Sequence, residues 1–319
     1  MVAHLVFPAR EGRKRIEIRK ITGVQIQSGW EMLTDTATIV LARNVKFFDK
    51  YKVKQVFKKG DPVEIYLGYD KTYVKEFQGY ITEVNADIPI KIKCEDAMYR
   101  LKRTPVNISL KTTTLKNLLT QILPSGFNLD ALDVNIGTVR FPKMTVAQVL
   151  EKLKSDFGLH SYIKDFDTLV CGKIYSDDNE APVKFHFSKN VVSNNLNYKT
   201  KEEIIIKVKA ISTLKHGGKL EAVVGDEFGV EKQLSYYNIT VKAELEKLAQ
   251  QDYDKFKVDG FDGTFEAFGI PSVSHGMKVD LESPQYPERN GVYWIKKVVK
   301  TFDDSPKYRQ IITLDQKVF

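Results

Sequence analysis

Two stretches of the chain repeat one arrangement of apolar and polar positions. From His275-Gly-Met-Lys-Val-Asp-Leu281 the chain passes a turn marked by Pro284 and Pro287, then Asn290-Gly-Val-Tyr-Trp-Ile-Lys-Lys-Val298, and closes with Arg309-Gln-Ile-Ile-Thr-Leu314. Val279 and Leu281 alternate with polar neighbours, as do Tyr293 and Ile295, and a period of two predicts half-buried strands. Earlier come Lys59-Gly-Asp-Pro-Val-Glu-Ile65, Gly79-Tyr-Ile-Thr-Glu-Val84 and Ile90-Lys-Ile-Lys-Cys94. Overlaid, Gly60 matches Gly276, Val63 matches Val279, Ile65 matches Leu281, and Ile81 and Val84 match Ile295 and Val298. Asp96 follows its strand as Asp315 follows the last one. The linkers differ in length, as surface loops can. The pattern predicts one β module used twice; two unrelated antiparallel meanders would also alternate, and the pattern alone leaves that open.

In chain order, Arg15–Gln27 alternates as a strand with a break near Gly23, Ser28-Gly29 turns the chain, and the β-branched run Thr36–Ala42 predicts another strand. Asn44–Lys59 is a basic excursion. With the Gly60–Val84 meander and Ile88–Glu95, five or six strands and no helical pattern predict a small antiparallel barrel or sandwich ending near Arg103-Thr-Pro105. The period then changes. Leu115, Leu118, Leu119 and Ile122 share a helical face behind Thr112–Thr114, and Pro124-Ser-Gly126 stops that helix. Thr145-Val-Ala-Gln148 has capping-box spacing, opening a helix with Val146, Val149, Leu150, Leu153 and Phe157 inward and Gly158 at its end. Leu159–Lys164 and Thr168–Tyr175 predict a hairpin across Asp165-Phe-Asp167.

Strand grammar returns at Pro182–Phe187, Glu203–Ala210 and, after a Lys215–Lys219 turn, Leu220–Val224. Thr240–Phe256 predicts a third helix with Val241, Leu245, Leu248, Ala249, Tyr253 and Phe256 toward a core. Thr264–Gly269 is again strand-like. The expected fold class is α+β, mainly β: two similar antiparallel β-barrel domains, residues 1–104 and residues 181–213 plus 265–319, with a peripheral α+β domain made of residues 105–180 plus 214–264. Neither peripheral segment alone has enough core.

The bulk numbers fit that division. A chain of 319 residues, 42% hydrophobic and 28% charged, suits two or three domains of an ordinary globular protein. No apolar run approaches the length of about 18 residues that a membrane span needs. The N-terminus lacks the pattern of a signal peptide, so export by one is not expected. Cys94 and Cys171 sit on separate strand-like segments and read as small buried hydrophobes. Residues 1–60 carry 13 Lys/Arg against 5 Asp/Glu, whereas the remaining residues carry 36 of each. That basic region, interleaved with Phe47, Phe48, Tyr51 and Phe57, could attract nucleic acid or an acidic protein; its strand-like alternation fits a solvated rim.

Catalytic signatures are missing from the sequence. His4, His160, His186, His216 and His275 show no metal-ligand spacing, and no nucleophile elbow, phosphate loop or dinucleotide fingerprint occurs. Neither cysteine has a nearby His. Asp177-Asp-Asn-Glu180 lacks the alternating spacing of a calcium loop, and Asp259-Gly-Phe-Asp262-Gly263 reads as two turns. A pair of carboxylates distant in the chain could still meet in space. No catalytic, cofactor or metal residue is assigned.

With these residues laid out, the chain resembles the phage tail baseplate hub family, the late-control or Mu-like tail hubs. Four pieces carry the likeness: Gly23–Trp30 with the Ala37–Leu41 strand; Lys59–Ile65 with Phe77–Ile81; Val192–Tyr198 with Ile206–Ser212; and Gly276–Val298 with Ile311–Leu314. A departure is that no lysozyme, needle or spike segment follows Phe319, so any spike is expected to be a separate protein. The resemblance implies a structural, non-enzymatic hub without cofactors: a homotrimer whose two barrels per chain alternate around a ring, giving six near-equivalent positions. It implies a trimeric tail spike on one face, tail tube or other baseplate proteins on the other, and DNA only in transit through a central channel. There would be no membrane insertion, and the location would be the virion tail baseplate, assembled in the bacterial host cytoplasm. Repeating a surface within the chain lets three subunits meet a sixfold partner, because an interface repeats only where the surface repeats. The same likeness fits the hub of a tail-like contractile injection system. Readings of other classes are a nucleic-acid-binding β-barrel using residues 1–60 and a polysaccharide-active enzyme. Counterion release would make DNA stick to a basic channel, so Arg13, Lys14, Arg15, Lys50, Lys52, Lys54, Lys58 and Lys59 are expected mostly to face outward or toward partners.

Overall fold

The structure, a computed structural model, describes residues 1–42, 53–70, 72–85, 88–175, 181–214, 218–305 and 307–318, without the side chains of Lys54 and Gln55. Residues 44–52 of the basic excursion, the Asp177–Glu180 cluster and His216 lie outside the described residues.

The fold is mainly β and its sheets are mainly antiparallel. The first part of the chain holds β1 (Val2–Phe7), β2 (Ile16–Ile18), β3 (Gly23–Gly29), β4 (Thr36–Leu41), the short helix α1 (Val53–Val56), β5 (Pro62–Tyr69), β6 (Thr72–Asn85), β7 (Ile90–Glu95) and the single helical turn α2 (Met98–Leu101). They assemble in the order β2-β1-β5-β6-β7-β4-β3, every neighbour antiparallel. The alternation is what builds the core: Ala37, Ile39 and Leu41 of β4 and Val63, Ile65 and Leu67 of β5 turn inward onto Phe7 and Phe57. A fully buried side chain of that size contributes about 1.5–3 kcal/mol. The strand β1, the turn α2 and the helix α1 carry no strong pattern in the sequence.

Next come β8 (Pro105–Thr114), α3 (Leu115–Ile122), β9 (Asn128–Ala131), β10 (Asn135–Thr145), α4 (Val146–Phe157), β11 (Ser161–Lys164) and β12 (Thr168–Cys171). Both helices start where the sequence places them. The Thr114 hydroxyl accepts from Asn117 N at 3.2 Å. Thr145 and Gln148 form both halves of a capping box, and Gly158 ends α4 in the left-handed conformation at φ 69°. Leu115, Leu118, Leu119, Val149, Leu150 and Leu153 fill one core with strand residues such as Phe141 and Leu169. β11 and β12 form the expected hairpin, and β8 and β10, for which the sequence reading assigned no strand, pair with each other.

The last part holds β13 (Val183–His186), β14 (Val191–Lys199), β15 (Ile206–Thr213), β16 (Lys219–Gly225), β17 (Val230–Tyr237), α5 (Lys242–Phe256), β18 (Gly260–Phe268), β19 (Lys278–Glu282), β20 (Gly291–Asp303) and β21 (Lys307–Lys317). β15, which the sequence reading assigned to the second module, is instead the middle strand of a separate sheet, β16-β15-β17, packed on α5 through Val208, Ala210, Leu245 and Ala249. β18 is a full member of the second module, between β14 and β21. Val241 stands exposed at the N-terminus of α5 and not in its core. Among the described residues no helix is long and apolar enough to cross a membrane.

Within the second module the order is β13-β19-β20-β21-β18-β14. With the three-residue edge strand β2 set aside, each module uses its strands, numbered in chain order, in one sequence: first, fourth, fifth, sixth, third, second. The match reaches individual bonds. Gly60 N donates to Ile81 O and Ile81 N to Asp61 O; Gly276 N donates to Ile295 O and Ile295 N to Met277 O. Both glycines take positive φ, 91° and 79°, which an L side chain resists. A bulge then follows in each fifth strand, after Ile81 and after Ile295. The registers Ile81↔Cys94 and Ile295↔Leu314 make Glu95 the counterpart of Asp315, so the expected match of Asp96 to Asp315 is off by one. β21 continues past Leu314 because the ladder extends to Tyr293↔Lys317.

Candidate functional site

The two modules meet along an antiparallel ladder in which β3 adds to the far half of β20, from Gly23↔Asp303 to Gly29↔Lys297. β20 therefore serves two modules: its first half pairs with β19, and past the bulge its second half pairs with β3. The β20–β21 hairpin carries Phe302 and Tyr308 into the core of the first module. Trp30 Nε1 donates to Asp315 Oδ2 at 2.9 Å, and Tyr69 OH to Tyr308 O at 2.9 Å.

Beneath the ladder lies a polar cluster. Lys300 of β20 forms an ion pair with Glu76 of β6, the two side chains only 6% and 2% exposed. Lys300 Nζ also donates to Ser272 Oγ at 2.7 Å, Ser272 Oγ to Glu76 Oε2 at 3.0 Å, and Tyr308 OH to Glu76 Oε1 at 2.6 Å. Burial, followed by the Glu76 charge, pushes the Tyr308 phenol up. Lining the same cleft of about 470 Å³ are Asp35, Asp96 and His275. Asp96 accepts from the amides of Asp35 and Met98, both at 2.9 Å. Enclosure raises its carboxyl to about 7, and enclosure with the nearby Asp96 charge raises Asp35 as well. Burial and the Lys300 charge lower His275 to about 4.

The cleft's geometry is structural in kind. Glu76 is occupied by three donors and Asp96 by two backbone amides, so these carboxylates face the protein's own hydrogens. The α3–α4 unit docks here through aromatic edges: Tyr162 against His275 at 4.7 Å and His160 against Trp30 at 4.8 Å. Burial lowers His160 to about 4. This seam went unread in the sequence because Glu76 is far along the chain from Ser272, Lys300 and Tyr308, and Glu76, Lys300 and Tyr308 sit in segments that alternate like any other strand.

The residues weighed for chemistry scatter. His4 meets Glu17 at 2.9 Å, and His186 Nδ1 accepts from Ser188 N. Asp262 binds Lys199 at 2.5 Å, while Asp259 accepts from Lys201 N. Cys94 and Cys171 are buried and free, and burial raises both thiols. Among the described residues no group of three His, Cys, Asp or Glu gathers as a metal site. Of the basic residues, Lys14, Arg15, Lys58 and Lys59 are exposed, whereas Arg13 is half-buried with Nη2 on Pro8 O; Lys50, Lys52 and the Lys54 side chain lie outside the described residues.

No protein-family model matches the chain, and no curated protein does. Solved structures do. A tail protein from Neisseria meningitidis MC58 superposes over 99% of this chain and 96% of its own, with TM-score 0.64 and 16% identity. The 43 kDa tail protein of prophage MuSo2 from Shewanella oneidensis does so over 99% and 98%, with TM-score 0.63 and 16% identity. The E. coli c3393 protein, a component of the type VI secretion system with structural similarity to the T4 bacteriophage tail proteins gp27 and gp5, covers 93% of this chain with 73% of its own, at TM-score 0.57 and 10% identity. The likeness at these identities is one of fold: this chain has the fold of phage and prophage tail proteins.

Proposed function

We propose that the chain is the structural hub of a phage or prophage tail baseplate. Three copies close a ring in which the two modules of each chain, as β-barrels, take six near-equivalent places. One face of the ring holds a trimeric spike, and the other holds the tail tube or further baseplate proteins. DNA crosses only in transit through the central channel. The hub carries out no catalysis; it is assembled in the bacterial host cytoplasm and ends in the virion tail. The observation that carries this reading is the single strand order used twice, down to the paired Gly60–Ile81 and Gly276–Ile295 bonds. In this reading residues 1–104 form the first barrel, and 181–199 with 260–319 form the second. The remaining segments, 105–180 and 200–259, lie at the periphery; the inserted segment is bounded this way because β15 pairs with β16 and β17.

The likeness to a type VI secretion component supports a second machine for the same part, the hub of a tail-like contractile injection system. Mass in solution tests the ring common to both. The expected species has three times the 36.5 kDa of one chain. A stable monomer at micromolar concentration would overturn the ring.

A further inference from the structure

We infer that the trimeric spike docks on the corner of the inserted 200–259 unit formed by Ile205, Phe228 and Val230, and receives it in an apolar pocket rimmed by lysine or arginine. This inference rests on the hub reading and names the surface by which the chain meets that partner.

Symmetry limits where such a contact can lie. The two modules offer one kind of surface twice per chain, so a partner of threefold symmetry takes its register from features that occur once per chain. Two units do: residues 105–180, and residues 200–259 with β15, β16, β17 and α5. They differ in what they expose. Among the described residues of the first unit no large apolar side chain stands exposed, whereas the second exposes Ile205, Val223, Phe228, Val230 and Val241.

Three of these gather at one end of the β16-β15-β17 sheet. Ile206 opens β15 and pairs with Val230, and Val230 N donates to Ile205 O at 3.0 Å. Phe228 stands in the turn from β16 to β17, 91% exposed, next to Val230 at 72% and Ile205 at 56%. Apolar side chains scattered singly over a surface are ordinary, but a group of them at one turn marks a contact site. The turn is fixed by its own bonds. Asp226 N donates to Ile206 O at 2.9 Å and Gly229 N to Asp226 O at 3.0 Å. The Asp226 carboxylate accepts from Ile206 N and Tyr253 OH, both at 3.2 Å, and from Lys257 Nζ at 3.0 Å. An aromatic anchor held in place before docking loses little freedom on binding.

The rim sets the partner's charge. Glu203, Glu227 and Glu231 flank the three apolar residues in sequence, and all are exposed. Glu231 has Lys207 at 3.7 Å, whereas Glu203 and Glu227 meet no cation among the described residues. A partner that covers this end must set positive groups beside its apolar pocket, or it strips water from carboxylates and returns nothing.

The test uses the full chain produced together with the rest of its tail. With a photoreactive benzoylphenylalanine in place of Phe228, irradiation of purified tails is expected to join this chain to the protein of the tail tip, present at one copy per hub chain. A cross-link to any other protein, to a second copy of this chain, or to nothing in tails that contain it overturns the inference and leaves the hub reading standing. Tails that lack this chain overturn both. Phe228→Asp with Val230→Asp, both at exposed positions, is expected to keep the trimer mass and the unfolding temperature of the chain while the tails lose their spikes in electron micrographs. Fully spiked tails from that variant would overturn the docking.

Discussion

Apart from β2, which has no counterpart among the described strands of the second module, the two modules share a strand order and differ in three places. The first strand runs antiparallel to its neighbour in one module (β1 on β5) and parallel in the other (β13 on β19). Between second and third strands the first module has a short turn, whereas the second carries β15, β16, β17 and α5. The hairpin of the fifth and sixth strands turns soon after its bulge in the first module, but in the second it runs on to Asp303↔Lys307. That extension brings Lys300, Phe302 and Tyr308 to the neighbouring module. A repeated unit can thus keep its ladder and still acquire unlike ends, because the hairpin lengthens without changing the register nearer the bulge.

The largest expected effect breaks this asymmetry at its polar centre. Lys300→Ala leaves Glu76 buried without its cation and is expected to destabilise by about 3–5 kcal/mol, read as a lower denaturant midpoint. Joint replacement by Lys300→Met and Glu76→Gln should recover much of it. Phe302→Ala removes the apolar plug that the long hairpin supplies and should cost about 3 kcal/mol. Val84→Ala on the short hairpin, where Val84 is only half-buried, should cost clearly less in the same assay. If the two changes weigh equally, the lengthened hairpin is not what holds the modules together.

The pH response sharpens the same comparison. Asp96 is raised from 3.8 to about 7, so its stabilising contribution is full below the unfolded value and is lost as pH rises through that window. His275 is lowered from 6.5 to about 4, so its contribution is present above 6.5 and is lost as pH falls toward 4. The two oppose each other across one range. Asp96→Asn is expected to remove the first and steepen the loss of stability on acidification between pH 6.5 and 4, measured by urea midpoints. The smallest effect is the matched pair Gly60→Ala and Gly276→Ala, each expected to cost about 1 kcal/mol at its positive φ. Clearly unequal costs would mean that the two turns are not equivalent in energy.

Much of the duplication was legible in the sequence because it rests on residues with local physical signatures. Glycine at positive φ, alternation around Ile81 and Ile295, and the Thr145–Gln148 box each dictate structure within a few residues. What the sequence hid was allegiance. Ile206–Thr213 alternates as well as any strand of either module, and only its partners, β16 and β17, assign it elsewhere. Pro105–Thr114 reads as the approach to a helix, since the β10 strand that pairs with it lies beyond α3. The buried pair of Glu76 and Lys300 resembles two ordinary surface residues of alternating strands until the modules come together over them.

The bulge after Ile295 lets one strand belong to two bodies, and this bears on how the molecule carries load. Seven consecutive rungs, Gly23–Gly29 against Lys297–Asp303, tie the halves of the chain. Tension directed along those strands must shear all seven together and cannot unzip them singly, so a force passing from one half to the other meets a rivet row in place of a hinge.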